Sequence, residues 1–273
     1  MIYDGKKASL ILQDKLREHV VLLTQVPKLA VISISTHPSI ASFIKIKRKF
    51  ADAIGVNMKE YDFPESFGEE NLIKEIQILI NSNQFTGIIV QLPLPSSYNT
   101  QRILDTIPKK LDVDVLGKEA LESFKANCNP IPPVAEAVAH ILNYTNTDIS
   151  NKKIVIIGNG KLVGSPVYTW FSHQNLRPDI VDINTNENLK LKLYKEADIV
   201  ISGVGIPHHL KPEFFKRGVI LIDAGTSEQL GVFTGDCDPT CADVASIITP
   251  VPGGVGPLTV AHLFKNVVDS VEK

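Results

Sequence analysis

The chain has 273 residues, a formal net charge of −2 and 44% hydrophobic residues. Its balanced charge leaves no electrostatic footprint for nucleic acid, and no apolar run reaches the ~18 residues that span a bilayer. The length suits two modest domains or one large α/β domain. The opening stretch MIYDGKKASL lacks the apolar core of a signal peptide. Cys128, Cys237 and Cys241 are too sparse for a disulfide framework and point to a reducing, cytoplasmic setting. Cys237 and Cys241, in GDCDPTC, have no further zinc partners at finger-like spacing, so no metal site is expected.

In chain order, a helix is expected across KKASLILQDKLREHVVLL and a buried strand in KLAVISIS (28–35). PSIASFIKIKRKFADAIG follows as a helix, with Pro38 near its start and Gly55 as its stop. On that helix Ile40, Phe43 and Lys47 share a face, while Lys45, Arg48 and Lys49 point mostly elsewhere. Two readings of this basic stretch stand: a solvated face, or Lys47 as a working lysine set over a pocket beside an aromatic ring. NLIKEIQILINS has helical spacing. TGIIVQLPLP is a second strand that ends near Gln91, because proline has no N–H for the ladder. Gln91 then lies at the carboxyl edge of a sheet, where open α/β folds bind ligands, or is an ordinary edge or core glutamine. In LDVDVLG, Asp112 and Asp114 alternate, one expected inward and one outward.

Pro130, Pro132 and Pro133 stiffen NCNPIPPVAEAVAHILNY, which reads as a hinge with a helix from about Val134. Five short valine- and isoleucine-rich runs follow: KIVIIG, DIVDIN, ADIVISGVG, GVILIDAG and SIITPVP. Separated by helix-length segments, they predict a parallel sheet covered on both faces. His208 and His209 read as a loop pair, and PLTVAHLFKNVVDSVEK as a closing amphipathic helix.

Two motifs carry chemistry. In IVIIGNGKLVGSP a strand feeds Gly158, Gly160 and then Gly164 in a helix, with GxGxxxG spacing. Glycines there let the backbone turn tightly and approach a pyrophosphate at a helix N-terminus, which predicts dinucleotide binding. Asp182, at the end of the next strand, is either a solvent-facing acid at a strand end or a group that accepts from a ribose 2′-hydroxyl and would repel a 2′-phosphate, favouring NAD over NADP. The second motif, TPVPGGVGPLT, combines prolines with Gly253, Gly254 and Gly256: a rigid corner with bare backbone, suited to a close approach or to an interdomain turn.

Taken in order, QLPLP, DVDV, IIGNGKLVGSP and TPVPGGVGPLT resemble the methylenetetrahydrofolate dehydrogenase/cyclohydrolase family (FolD), and YDGKKAS and KRKFADAIG fit its N-terminal domain. The resemblance covers nearly the whole chain. It implies an N-terminal α/β catalytic domain (1–133), a Rossmann-type parallel-sheet nucleotide-binding domain (134–257) and a C-terminal helix (258–273) returning to the first domain. It further implies a homodimer that oxidises 5,10-methylenetetrahydrofolate with NAD or NADP and hydrolyses the methenyl product to 10-formyltetrahydrofolate. The family's lysine, glutamine and aspartate fall on Lys47, Gln91 and Asp114. In the family the lysine assists water addition, the glutamine tunes it and the aspartate helps hold the pterin. The substrate-binding positions fall on Phe43, Val90, Leu92, Pro252, Gly253 and Gly254. The cofactor-binding positions fall on Gly158, Asn159, Gly160, Gly164, Asp182 and Thr226.

The chain departs from the family pattern at several places. Phe43 replaces a tyrosine, Ile40 a serine and Val115 the glycine of DVDG; Ile131 and Pro132 replace the Cys and Thr of PCTP. Asn159 replaces an arginine that often binds the 2′-phosphate, and GTS (225–227) stands for GIN. The losses around Lys47 bear on the hydrolytic step, and those at Asn159 on the use of NADP. The alternatives are a monofunctional NAD-dependent dehydrogenase, a catalytically impaired folate- or nucleotide-binding homologue, and an unrelated small-substrate Rossmann dehydrogenase.

Overall fold

The computed structural model describes residues 1–34, 38–229 and 232–271, the side chains of 38, 39 and 229 excepted. Ser35, at the end of the first expected strand, and residues 272–273 of the expected last helix lie outside the described residues. The chain forms two compact units. One comprises Leu10–Pro133 with Val260–Lys273, the other Met1–Ser9 with Val134–Thr259.

The first unit contains most of α1 (Gly5–Leu22), then β1 (Lys28–Ile34), α2 (Pro38–Ile54), β2 (Asn57–Phe63), α3 (Glu69–Asn81), β3 (Gly87–Val90), α4 (Thr100–Leu104) and α5 (Lys118–Asn127). Its strands are parallel in the order β2-β1-β3. Central β1 is buried from Leu29 onward because helices cover both its faces. Leu29 and Val31 pack with Ile44 and Ile54 of α2 and with Leu263, Phe264 and Val267 of the last helix, α9 (Val255–Asp269). Ala30, Ile32 and Ile34 pack with Leu72 and Ile76 of α3. Phe50 and Phe264 stack with ring centroids 5.2 Å apart. The closing helix therefore belongs to this core, as expected. It starts at Val255, earlier than the expected 258, because Pro257 falls in the first turn, where no amide hydrogen is needed.

β2 had no counterpart among the expected strands. It is an edge strand carrying Lys59, Glu60 and Asp62, and only Met58 is fully buried. Charges of this kind blunt an open edge, and they also hide the strand's alternation. Arg48 does not simply face solvent: its guanidinium pairs with Glu60 of β2 at 2.8 Å and donates to the Met58 carbonyl, tying α2 to the edge strand.

The second unit follows α6 (Pro133–Tyr144) with β4 (Ile154–Ile157), α7 (Gly164–His173), β5 (Asp179–Val181), α8 (Glu187–Glu196), β6 (Ile199–Ser202), β7 (Val219–Asp223), a short antiparallel pair β8 (Ser227–Gln229) and β9 (Val232–Thr234), and β10 (Ala245–Ile248). The five expected runs are β4, β5, β6, β7 and β10, all parallel, in the order β10-β7-β6-β4-β5. From β4 the chain steps first to β5 on one side and then to β6 on the other. The carboxyl ends of β4 and β6 are thus a topological switch point, where sheets of this kind leave a crevice. Met1 and Tyr3 pair with Ile248 beside β10, through bonds of 3.0 and 2.8 Å.

Candidate active site

In the first unit, α2 presents Phe43 and Lys47, both half-buried, while Lys45 and Lys49 are exposed. Along β3, Ile88 and Val90 face the α3 side and Ile89 the α2 side. Gln91 follows the Ile89 alternation, and its amide is held in the ladder by the Ile32 carbonyl at 2.7 Å. Its side chain therefore reaches α2. Lys47 Nζ donates to Gln91 Oε1 at 2.6 Å, and Gln91 Nε2 donates to the Leu92 carbonyl at 2.8 Å, which orients the amide with its oxygen toward the lysine.

Burial lowers the Lys47 pKa, and Asp114 opposes that by raising it. Burial raises the Asp114 pKa, and Lys47 opposes that by lowering it. Burial thus disfavours the charged form of both groups, while each charge, and for the lysine the Gln91 oxygen, favours it.

Asp112 is buried, at 4% exposure, and Asp114 is half-buried toward Lys47, so the alternation expected of the pair does not turn one of them out to solvent. Asp112 Oδ1 accepts from Val115 N at 2.8 Å, and its Oδ2 from Leu116 N at 3.0 Å and Gly117 N at 2.7 Å. Burial pushes its pKa up to about 6 despite these donors. Val90 has its side chain in the core at 2% exposure, so only its backbone is available to a ligand; Leu92 is half-buried.

In the second unit, Gly158 has φ +89° and its N–H bonds the Val181 carbonyl at 2.8 Å, which sets the glycine loop beside the end of β5. A Cβ on Gly164 would lie 1.9 Å from the Gly158 carbonyl oxygen, so helix α7 can approach the loop only as glycine. Nothing lies within 4 Å of the corresponding point on Gly160, which with Asn159 is exposed. The cradle thus has the open backbone that a dinucleotide pyrophosphate requires. Asp182 directly follows β5, and its Oδ1 accepts from Asn184 N at 2.9 Å and Thr185 Oγ1 at 3.2 Å.

Thr226 is exposed after β7. At the second motif, a Cβ on Gly5 would lie 1.8 Å from the Gly254 carbonyl oxygen. It is the bare Gly5, in the first turn of the chain's own α1, that leaves room for this carbonyl, and Gly253, at φ +113°, makes the corner. Among the described residues no group of three or more His, Cys, Asp or Glu side chains is placed to hold a metal ion. Nor is any helix among them long and apolar enough to cross a membrane.

Beneath these loops lie two buried carboxylates that the motifs did not reveal. Asp236, fully buried, accepts from Ser202 Oγ at 2.6 Å and from the amides of Val204 and Ile206, both at 2.9 Å, organising the loop after β6. Asp223 accepts from Cys237 N at 2.7 Å and Gly225 N at 3.0 Å. Burial pushes its pKa up to about 6; the Cys237 amide pulls it down, and the neighbouring Asp236 adds to the rise. An ordinary aspartate titrates near ~3.9. The native state therefore holds this proton longer than the unfolded chain, and stability falls as pH rises from about 4 through about 6. The expected loss is roughly 2–3 kcal/mol. Melting curves from pH 4 to 7 should show a flatter decline for Asp223→Asn than for wild type; parallel declines would contradict the assignment.

Residues 3–114 match the model of the tetrahydrofolate dehydrogenase/cyclohydrolase catalytic domain, and residues 132–273 that of the same family's NAD(P)-binding domain. The bifunctional protein FolD of Bacillus anthracis is 34% identical over 279 residues, covering 100% of this chain and 97% of that protein. The bifunctional FolD methylenetetrahydrofolate dehydrogenase/cyclohydrolase of Campylobacter jejuni superposes with a TM-score of 0.93 at 30% identity, covering 100% and 98% of the two chains. The Trypanosoma brucei methylenetetrahydrofolate dehydrogenase-cyclohydrolase, solved with NADP and an inhibitor, gives 0.92 at 30% identity, covering 100% and 97%. With both halves matched in order and relatives aligned end to end, the chain belongs to the tetrahydrofolate dehydrogenase/cyclohydrolase family.

Proposed function

We propose that the chain oxidises 5,10-methylenetetrahydrofolate to the 5,10-methenyl cation with a nicotinamide cofactor and hydrolyses that cation to 10-formyltetrahydrofolate. The observation that carries this is the 2.6 Å contact between Lys47 Nζ and Gln91 Oε1, with Asp114 coupled to the same lysine, on the three positions that match the family's catalytic residues. When bound, the nicotinamide supplies the hydride acceptor. Water addition to the methenyl carbon then releases a proton. Lys47, whose burial makes its neutral amine accessible, takes that proton while Gln91 holds the amine in place. Opening the ring breaks the bond to N5, which is reprotonated. Asp114 holds the pterin, and the half-exposed Phe43 ring stacks on the benzoyl group without a hydroxyl to offer. Leu92 and the Val90 backbone serve the substrate in the first unit, and the corner at Pro252, Gly253 and Gly254 is the second unit's substrate-binding segment. Gly158, Asn159, Gly160, Gly164, Asp182 and Thr226 serve the cofactor.

In this reading residues 1–133 with 258–273 form the folate half and 134–257 the cofactor half of a cytoplasmic homodimer. A second reading, a dehydrogenase without hydrolysis, is favoured by Phe43 and Val115, which remove a hydroxyl and a glycine near Lys47. Steady-state assays of both reactions with each nicotinamide test the proposal. Absence of turnover of methylenetetrahydrofolate with either cofactor would refute it.

For the cofactor itself, NAD should serve at least as well as NADP. Asp182 sits beside the glycine loop, and Asn159 supplies no cation for a 2′-phosphate. A dianion beside a carboxylate is disfavoured. Asp182→Asn keeps an acceptor oxygen for the Asn184 turn and removes the charge. It should raise kcat/KM for NADP on the order of tenfold, about one Coulombic contact at a partly solvated site. A several-fold preference of the wild-type enzyme for NADP would overturn this.

A further inference from the structure

We propose that Asp112 is a positioning residue: its carboxylate clamps residues 115–117 in a turn that valine resists, and so sets Asp114 against Lys47. The inference rests on the reading above. Val115 has φ +58° and is fully buried. A β-branched side chain in the left-handed region is a genuine outlier, and it persists only where the surroundings over-determine it.

Here the determinant is visible. Both oxygens of one buried carboxylate are spent on three successive amides, 115 to 117, the first of them from the strained residue itself. Space is reserved for that carboxylate: a Cβ on Gly117 would lie 3.1 Å from Asp112 Oδ2 and 2.8 Å from the Leu104 carbonyl oxygen.

The segment before Asp114 is fixed separately. Asp112 bridges Ile88 of β3, the strand that delivers Gln91, and the Ile88 amide bonds the Leu111 carbonyl at 2.8 Å. The Val113 carbonyl accepts from Asn266 of α9 at 3.0 Å. Asp114 is therefore held between a strand extension and a clamped turn, and Asp112 belongs to both. Glycine at this position would adopt the turn without strain; with Val115 the turn depends on the clamp.

Asp112→Asn tests this. It conserves size but sets an amide NH2 against backbone donors that need an acceptor. In steady-state kinetics kcat/KM for the folate substrate should fall on the order of 10²-fold, as expected for a small misplacement of a substrate-holding group. The nicotinamide KM should stay within about twofold, a split that general destabilisation would not produce. In a Val115→Gly background the same substitution should cost at least about tenfold less, because glycine adopts the turn unaided. If Asp112→Asn folds only in that background, the dependence of valine on the clamp is shown directly.

Equal losses in both backgrounds, or a parallel rise in both KM values, would overturn the proposal. Amide hydrogen exchange at residues 115–117 gives a readout independent of turnover. Exchange there should accelerate in Asp112→Asn, and unchanged protection would also sink the clamp. Should the wild-type enzyme fail to turn over methylenetetrahydrofolate, the functional reading falls while the exchange measurement still decides whether Asp112 holds the turn.

Discussion

Lys47→Met should abolish methenyl hydrolysis while leaving a substantial share of dehydrogenase turnover. Methionine keeps most of the lysine stem and its packing beside Phe43 but removes the ammonium. Hydride transfer depends mainly on placing the methylene carbon against the nicotinamide, so positioning dominates it. Water addition also needs a group to take a proton, and the lysine held at 2.6 Å from Gln91 is the base matched to that task. General-base contributions of this kind are worth about 10²–10⁴-fold, so hydrolysis should fall to the uncatalysed rate. Dehydrogenase kcat should remain within about tenfold. The measurement is the decay of methenyltetrahydrofolate, corrected for spontaneous hydrolysis, alongside nicotinamide reduction. Hydrolysis by Lys47→Met at the wild-type enzymatic rate would remove the lysine from the mechanism. A wild-type enzyme that oxidises but never hydrolyses would place the defect in the replaced groups at Ile40, Phe43 and Val115.

Gly164→Ala should produce the opposite selectivity. The added methyl would lie 1.9 Å from the Gly158 carbonyl oxygen and 3.1 Å from the Asn159 Cα, both main-chain atoms. Neither can swing aside as a side chain could, so the loop or α7 must move. A displaced pyrophosphate cradle should lower nicotinamide-dependent oxidation on the order of 10²-fold, mostly through the cofactor KM. Methenyl hydrolysis uses no nicotinamide and should stay within about threefold. Gly160→Ala is the structural control: with nothing within 4 Å of its Cβ position, its melting temperature should match wild type. Equal losses of both reactions in Gly164→Ala, or an unchanged cofactor KM, would count against the cradle.

The parallel sheet of the second unit was readable because its inner strands β4, β6 and β7 are buried throughout and therefore appear as near-continuous runs of valine and isoleucine. β2 was not, since an edge strand bearing Lys59, Glu60 and Asp62 has the composition of a loop. β8 and β9, three residues each, are too short for alternation to register. At the site, Gln91 could be placed because prolines end its strand. The core position of Val90 was equally available from period-two alternation. Asp112 was named in the sequence but its role was not legible: its partners are main-chain amides, which leave no side-chain pattern. The pairing of Asp223 with Asp236 likewise needs the fold to bring β7 and the segment after β9 together. Gly225 and Gly235 make room for it, since a Cβ on either would come within 2.3 Å of a carboxylate atom.

The pairing of residues 1–3 with β10 has a consequence for biosynthesis. Met1 and Tyr3 meet Ile248 only after residue 248 has been translated, and the core around β1 waits for Leu263, Phe264 and Val267 from α9. Each unit combines segments far apart in the sequence, so the first cannot close before α9 is made and the second cannot close before β10 is made. Contacts of such long sequence separation slow folding and prolong exposure of unpaired strand edges. On the ribosome the nascent chain must therefore carry an incomplete β1 core until α9 has emerged, and emergence of that helix is the event that lets that core assemble.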